Sequence, residues 1–417
     1  MRPIAISLSP NTQIDDVKLA FRKLFSFWKE DKSEVKNLNN SLTEYFGDGY
    51  QSFTFNSGRA ALYVLLKSIG IERGDEVVVQ AFTCSAVVNP IKWLGAMPVY
   101  ADIGPDYNID PKNLKTKISK KTKAIIVQHT FGIPADMNSI KDISSSEIVV
   151  IEDLAHGLGG EYLGKKLGTL TDTAFLSFGR DKSISSVFGG AVIVKNRELI
   201  EKLRKIYSTI ESPNNFWTFQ QVLHPVAFAI ILPLYNFGYR KITLGKLLLW
   251  LFQELHLLSK PVSECEKNAN KPSNYPKRLP SALSELANNQ FKKLDKFVDK
   301  RREAARIYRE KLSSTGLVIP KETKGSGWLR FPILVDDQGG LLGFAKKEKV
   351  LLGNWYKGVI MPSSSLDHFD YVSGSCPVAE DYSSRAVNLP TYPNMTDQNI
   401  VKVIYTVKKW LSTKQKK

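Results

Sequence analysis

Three stretches of this sequence carry residues that can do chemistry together. Lys182 closes Phe175-Leu-Ser-Phe-Gly-Arg-Asp-Lys182 and follows Asp153 by 29 residues. Asp153 itself ends an apolar run, Ile148-Val-Val-Ile-Glu-Asp153. Further upstream, Asn56-Ser-Gly-Arg-Ala-Ala61 is a small-residue turn between an apolar strand and a helix-like run. An amine, an acid at a strand end and a glycine-bearing helix start are what a pyridoxal 5'-phosphate site needs. The lysine forms the Schiff base, the acid keeps the pyridine nitrogen protonated, and the helix start takes the phosphate. None of the three decides alone.

Each residue has a plainer reading beside the chemical one. Asp153 alone would equally serve as a helix N-cap or a metal ligand. Lys182 is one of many lysines, but it lies between Ser177-Phe178 and Gly189-Gly190-Ala191 rather than on a charged helix face. Ser57, Gly58, Arg59 and Ala60 present backbone amides at a helix start, with the Arg59 charge beside them. Ser177 offers a hydroxyl to the phosphate. His156 offers an imidazole to the ring's phenolic oxygen, a role that depends on Asp153 holding its own.

These residues need a scaffold that gathers strand ends. With 417 residues, 43% hydrophobic and 24% charged, the chain suits a large α/β domain plus a smaller one. From about residue 51 apolar strands alternate with helix-like runs: strands at 76–79, 98–101, 124–127, 148–152, 173–177 and 190–194, helices at 59–69, 84–94 and 136–143. That rhythm predicts a mostly parallel sheet covered on both faces, with ligand-binding residues at the strands' carboxyl ends. An N-terminal helical segment (1–50) with a helix over 14–29, a large cofactor-binding domain (51–300) and a small C-terminal α+β domain (301–417) are expected. One long helix is expected over Ser281–Arg309, and a last one over 396–411.

Three cysteines (Cys84, Cys265 and Cys376) show neither metal spacing nor a disulfide framework. The start Met-Arg-Pro-Ile-Ala-Ile-Ser has no long apolar signal region, so a cytoplasmic protein is expected. The net charge of +17 suits an anionic partner or a solvated basic surface. Nucleic acid is not the expected partner, because no aromatic-interleaved basic motif or helix-turn-helix accompanies the charge. Residues 205–270 break the α/β rhythm with two apolar stretches, Val222–Tyr239 and Ile242–Leu258, joined by Arg240-Lys241. Pro225, Pro233, His224, Lys246 and Glu254 speak against full membrane spans. A hairpin lying in one leaflet on the inner face of the membrane fits best, ahead of a helical pair packed on the core or at a subunit contact.

The sequence resembles the DegT/DnrJ/EryC1/StrS sugar aminotransferases, from about residue 8 to 411 with the insert interrupting. Landmarks are Ser57-Gly-Arg-Ala-Ala-Leu62, Gly74-Asp-Glu-Val-Val78, His129-Thr-Phe-Gly132, Ile151-Glu-Asp-Leu-Ala-His156, Ser177-Phe-Gly-Arg-Asp-Lys182, Cys376-Pro-Val-Ala-Glu380 and Asn388-Leu-Pro390. The resemblance implies a fold-type I enzyme: a mostly parallel three-layer α/β/α domain with a small α+β domain. It implies that Lys182 carries the cofactor, Asp153 faces the pyridine nitrogen and His156 lies near the ring oxygen. Ser177 and the Gly58–Ala60 turn take the phosphate. It also implies a homodimer that moves an amino group from glutamate or glutamine onto a keto-sugar. Lysine at position 182 separates the chain from relatives that have histidine there and act as dehydratases. Cys84 stands where the family usually stacks an aromatic ring on the cofactor. Pro276-Lys277-Arg278 replaces an Asn-x-Arg that the neighbouring subunit often supplies. The apolar insert just before it suggests a remodelled substrate entrance, and its paired apolar stretch at 222–258 suggests a keto-sugar on a polyprenyl diphosphate carrier as well as on a nucleotide. Another cofactor reaction, or a membrane-attached binding or regulatory protein, is the alternative.

Overall fold

A computed structural model describes residues 3–239, 242–273 and 275–415. Seven strands build the central sheet: β1 (Gln51–Phe55), β2 (Glu76–Gln80), β3 (Met97–Ala101), β4 (Thr122–Gln128), β5 (Val149–Asp153), β6 (Thr173–Ser177) and β7 (Gly190–Val194). Their order is β1-β7-β6-β5-β4-β2-β3. Of the seven, β7 alone runs against the direction of the other six. The residues alternate into two cores: Val77, Val79, Ile126 and Phe175 face one side, and Val78, Ile125, Val127 and Leu176 the other. Strands apolar on both faces are what a helix-covered parallel sheet requires. This is the expected fold-type I α/β architecture.

The C-terminal portion is an antiparallel pair, β8 (Arg330–Leu334) with β9 (Ala386–Pro390), packed by the helices Leu294–Leu312, Gln338–Lys347 and Asp397–Gln415. Ile4–Ala5 pairs with Val350–Leu351, so the first strand of the chain reaches this layer. Two expected helices are corrected. The one over 14–29 ends at Lys23 and continues as turns. The one over Ser281–Arg309 is two helices, Ser281–Phe291 and Leu294–Leu312. At the break, Lys293 reaches Asp15 at 2.7 Å and Asp16 at 3.1 Å. Beyond it the second helix leaves Leu294 and Val298 in one core and puts Ala304, Ala305 and Tyr308 into the other.

The insert is a helical hairpin, Asn215–Leu234 and Leu244–Glu254. One side packs: Phe228, Ile231 and Leu258 form a small core with Leu8, Leu223, Leu248 and Phe252. The other side leaves Ile230, Phe237, Leu247, Trp250 and Leu255 more than half exposed. Among the described residues only Asn215–Leu234 is long and apolar enough to cross a membrane. Arg240 and Lys241, expected to flank a leaflet-bound hairpin, lie outside the described residues.

Backbone meets backbone where β6, β7 and the helix Gly58–Ile69 converge. A Cβ on Gly190 would lie 2.5 Å from the Gly58 amide nitrogen and 2.6 Å from the Leu176 carbonyl oxygen. No flexible side chain is there to yield. Gly190→Ala is therefore expected to destabilise the fold by about 2–3 kcal/mol through overpacking. Its denaturation midpoint, measured beside a Gly339→Ala control that meets open space, checks this.

Candidate active site

The helix Gly58–Ile69 begins at the carboxyl end of β1, and Ser57 caps it by accepting from the Ala60 amide at 3.1 Å. Helix geometry leaves the Gly58 and Arg59 amides without intrahelical acceptors and turned toward the strand ends. A Cβ on Gly58 would meet the Ser177 Cβ at 2.9 Å and its hydroxyl at 3.2 Å. The missing side chain thus lets the helix start close directly on Ser177, whose hydroxyl joins the free amides along one polar cradle. The Arg59 charge is not free for that cradle. Its guanidinium is buried against Glu266, donates to the Pro261 carbonyl at 2.8 Å and packs on Tyr275. What Arg59 brings to the cradle is its backbone amide.

β5 delivers Asp153, fully buried, with one carboxylate oxygen accepting from the Ala155 amide at 2.8 Å. Burial pushes its carboxyl up to about 6, against the opposing pull of that amide and of Lys182. Such a carboxylate suits a cation brought in by a ligand. Three residues on, His156 Nε2 is 3.1 Å from Lys182 Nζ, and its Nδ1 accepts from the Phe131 amide at 3.3 Å. Burial and the charges of Lys182 and Arg330 hold this imidazole well below its ordinary range. The neutral ring has one proton for two nitrogens: it lies on Nε2 when Nδ1 accepts from Phe131, and on Nδ1 when Nε2 accepts from the Lys182 ammonium. Lys182, Asp153, His156, Ser177 and the Ser57–Ala60 turn therefore meet at the carboxyl end of the sheet. This donor set fits pyridoxal phosphate, with a helix-start cradle for the phosphate, a buried carboxylate for the ring nitrogen and an amine for the aldehyde.

Cys84 is half-buried. Its short strand, Thr83–Cys84, pairs in parallel with Ile360–Met361 of the C-terminal portion. That pairing brings Tyr356 over the site, its ring nearly parallel to His156 (centroids 6.3 Å apart, 14°). Phe131 stacks on His156 at 5.9 Å. Aromatic surface absent at position 84 is thus present nearby on Tyr356 and Phe131. Arg278 does not point into this cluster; its guanidinium donates to the Tyr207 and Ser208 carbonyls at 3.0 Å.

Several residues at the site went unread in the sequence. Asn11 donates to the Lys182 carbonyl at 2.6 Å, and Arg301 donates to Asn11 and to the Ser183 carbonyl, at 3.1 and 2.9 Å. Together they pin the backbone of the lysine loop from the far end of the chain. Arg180, in the same loop, donates to Ser259 of the insert's return segment at 2.6 and 2.9 Å. Glu152 accepts from the amides of Gly168, Leu170 and Thr171 and pairs with His129, fixing the loop after β5. Its one sequence signal was the unusual acidic doublet Glu152-Asp153 at the end of an apolar strand.

Comparisons with known proteins agree with this geometry. GDP-perosamine synthase of Vibrio cholerae is 26% identical over 371 residues, covering 86% of each chain. The spore coat polysaccharide biosynthesis protein SpsC of Bacillus subtilis is 25% identical over 418 residues, covering 97% of this chain and 96% of its own. The structure of Helicobacter pylori PseC, an aminotransferase involved in the biosynthesis of pseudoaminic acid, superposes with a TM-score of 0.75 at 22% identity. It covers 99% of this chain and all of PseC, and attests the shared fold. The pattern of the DegT/DnrJ/EryC1/StrS aminotransferase family matches residues 15–223 and 254–408 and passes over the tip of the insert. The chain belongs to that family and is a pyridoxal phosphate-dependent aminotransferase.

Proposed function

We propose that this protein moves an amino group from glutamate or glutamine onto a keto-sugar in the assembly of a cell-surface polysaccharide or amino-sugar. The observation that carries the reading is the 3.1 Å contact of Lys182 Nζ with His156 Nε2, beside buried Asp153. The names of the relatives GDP-perosamine synthase and SpsC support a sugar acceptor.

Bound pyridoxal phosphate supplies an electron sink for negative charge developing beside an imine nitrogen. The chain does the rest. Asp153 holds the ring nitrogen's proton; the Gly58 and Arg59 amides with Ser177 hold the phosphate. His156 donates from Nε2 to the ring oxygen. Lys182 Nζ, once released, carries a proton to and from the carbon that bears the amino group. Over the full cycle the donor leaves as a 2-oxo acid and the acceptor's keto group becomes an amine.

The insert adds a surface contact to this reading. Its exposed Leu247, Trp250 and Leu255 lie on or next to a helix that carries one cation, Lys246, and one acid, Glu254. The N-terminal helix packs beside the hairpin, and Phe21 on it with Phe25 and Trp28 in the turns after it are at least half exposed. Apolar side chains backed by net positive charge suit peripheral attachment to an anionic leaflet, where a lipid-carried sugar would be met. The protein works as a homodimer in this reading.

Three outcomes are expected. With pyridoxal phosphate the protein shows a visible absorbance band that glutamate or glutamine abolishes and that Lys182→Ala lacks; a wild type without the band sinks the proposal. Because burial raises the Asp153 carboxyl to about 6, its ionised form is disfavoured in the fold. The resulting penalty is absent below the unfolded value near 3.8 and fully present above about 6, at about 3 kcal/mol. A ring cation relieves it, so the cofactor should raise the melting temperature more at pH 7.5 than at pH 5. Asp153→Asn should lose most of that difference. Lastly, the protein should sediment with vesicles of phosphatidylglycerol but not of phosphatidylcholine alone. Leu247→Glu with Trp250→Glu should weaken this at least tenfold; unchanged sedimentation refutes the membrane contact.

A further inference from the structure

The chain that returns from the insert runs back along β1 and arrives at the phosphate cradle. Arg278 bridges Phe55 in antiparallel register. Beside that bridge the Asn56 amide donates to the Lys277 carbonyl at 2.9 Å, and the Lys277 amide donates to the Asn56 side-chain oxygen at 3.2 Å. The same register carries Tyr275 to the level of the cradle's helix start. There the tyrosine is 7% exposed. Its ring packs on the Arg59 guanidinium, 5.3 Å from the centroid, and stacks with Trp93 at 6.1 Å. Its phenol interacts with the side chain of Ser57, the residue that caps the cradle helix.

Stacking accounts for the ring but not for the hydroxyl. A buried phenol ordinarily finds an acceptor. Ser57 Oγ already accepts from the Ala60 amide, and among the described residues no carbonyl or carboxylate accepts from Tyr275. Burial pushes this phenol up, with the Arg59 charge opposing, so at neutral pH it keeps its proton and is a donor. We propose that the Tyr275 hydroxyl donates to the phosphate of pyridoxal phosphate, a contact that rests on the cofactor reading above. A phosphate has more acceptor positions than the Gly58 and Arg59 amides and the Ser177 hydroxyl fill. The Arg59 guanidinium, the nearest charge on the cradle helix, is held instead by Glu266 and the Pro261 carbonyl. The cradle therefore works through neutral donors, and one more of them matters. Arg59 contributes as a platform: with Trp93 it holds the ring, so the hydroxyl is in place before the cofactor arrives. Tyr275 is a binding residue in this arrangement and takes no part in proton transfer.

Tyr275→Phe removes the hydroxyl and keeps the ring that packs on Arg59 and Trp93. The cofactor-free protein is titrated with pyridoxal phosphate and, separately, with pyridoxal, which lacks the phosphate; the visible absorbance band reports both. The variant is expected to bind pyridoxal phosphate at least tenfold more weakly and pyridoxal within twofold of the wild type. Unchanged affinity for pyridoxal phosphate overturns the contact. So does an equal loss for both ligands, which would assign the hydroxyl to the fold and not to the phosphate. A crystal structure of the wild type with pyridoxal phosphate needs no variant: Tyr275 Oη is expected within about 3 Å of a phosphate oxygen. A hydroxyl turned away from the phosphate in that structure refutes the proposal. A wild type that shows no band with pyridoxal phosphate would instead sink the cofactor reading itself, which keeps the two failures apart.

Discussion

The contact on which this site depends is made of backbone and one short side chain, that of Ser177. Gly58 opens its helix directly against Leu176, Ser177 and Gly190, with no room for a Cβ on either glycine. Because nothing compressible lies between them, the helix start and the ends of β6 and β7 hold a fixed relation. Ser177 belongs to that junction, and Lys182 follows it by five residues. The loop that carries the lysine cannot drift, since Asn11 and Arg301 fasten its backbone from the other side. Two elements far apart in sequence thus hold one amine. Such rigid support is what turns a set of suitable side chains into a working geometry.

Electrostatics give the site its second character. In a chain of net charge +17, the interior around the lysine holds both signs at close quarters. Arg59 meets Glu266 and Arg330 meets Asp181, while Arg301 has only neutral acceptors among the described residues and burial pulls it down to about 9. Buried pairs of this kind add little net stability against their desolvation cost. Their effect is to fix direction: each guanidinium is held in one plane by a carboxylate and an aromatic face. Asp153 is the exception. Among the described residues it has no hydrogen-bonded cation, although the charge of Lys182 acts on it.

Much of this was legible in the sequence, for local reasons. Apolar runs ending in Asp153, Ser177 and Phe55 announce strands whose carboxyl ends converge, and alternation in period two sends their side chains into two cores. Lys182 and His156 were expected together and stand 3.1 Å apart. What escaped has a common cause: it depends on partners more than a hundred residues away. Nothing near Arg330 announces Asp181, and nothing near Asn11 announces Arg301. The charge of Arg59 appeared available because Glu266 lies at the far side of the insert. The helix break at Lys292-Lys293 escaped because an unbroken charged pattern hides the pull of Asp15 and Asp16 from the N-terminus.

The insert has a root and a tip, and they stand under different constraints. Its return segment is wired into the cofactor machinery: Ser259 receives Arg180, Glu266 receives Arg59, and the Asn89 side chain donates to the Glu266 carbonyl at 3.0 Å. The tip, residues 224–253, is where the family pattern lapses. Change in the tip leaves these contacts in place, while at the root Glu266 bears on the phosphate-cradle helix through Arg59 and Ser259 bears on the lysine loop through Arg180. The hairpin is thus a replaceable head on a fixed stem, and a relative that lost the head would still be obliged to keep the stem.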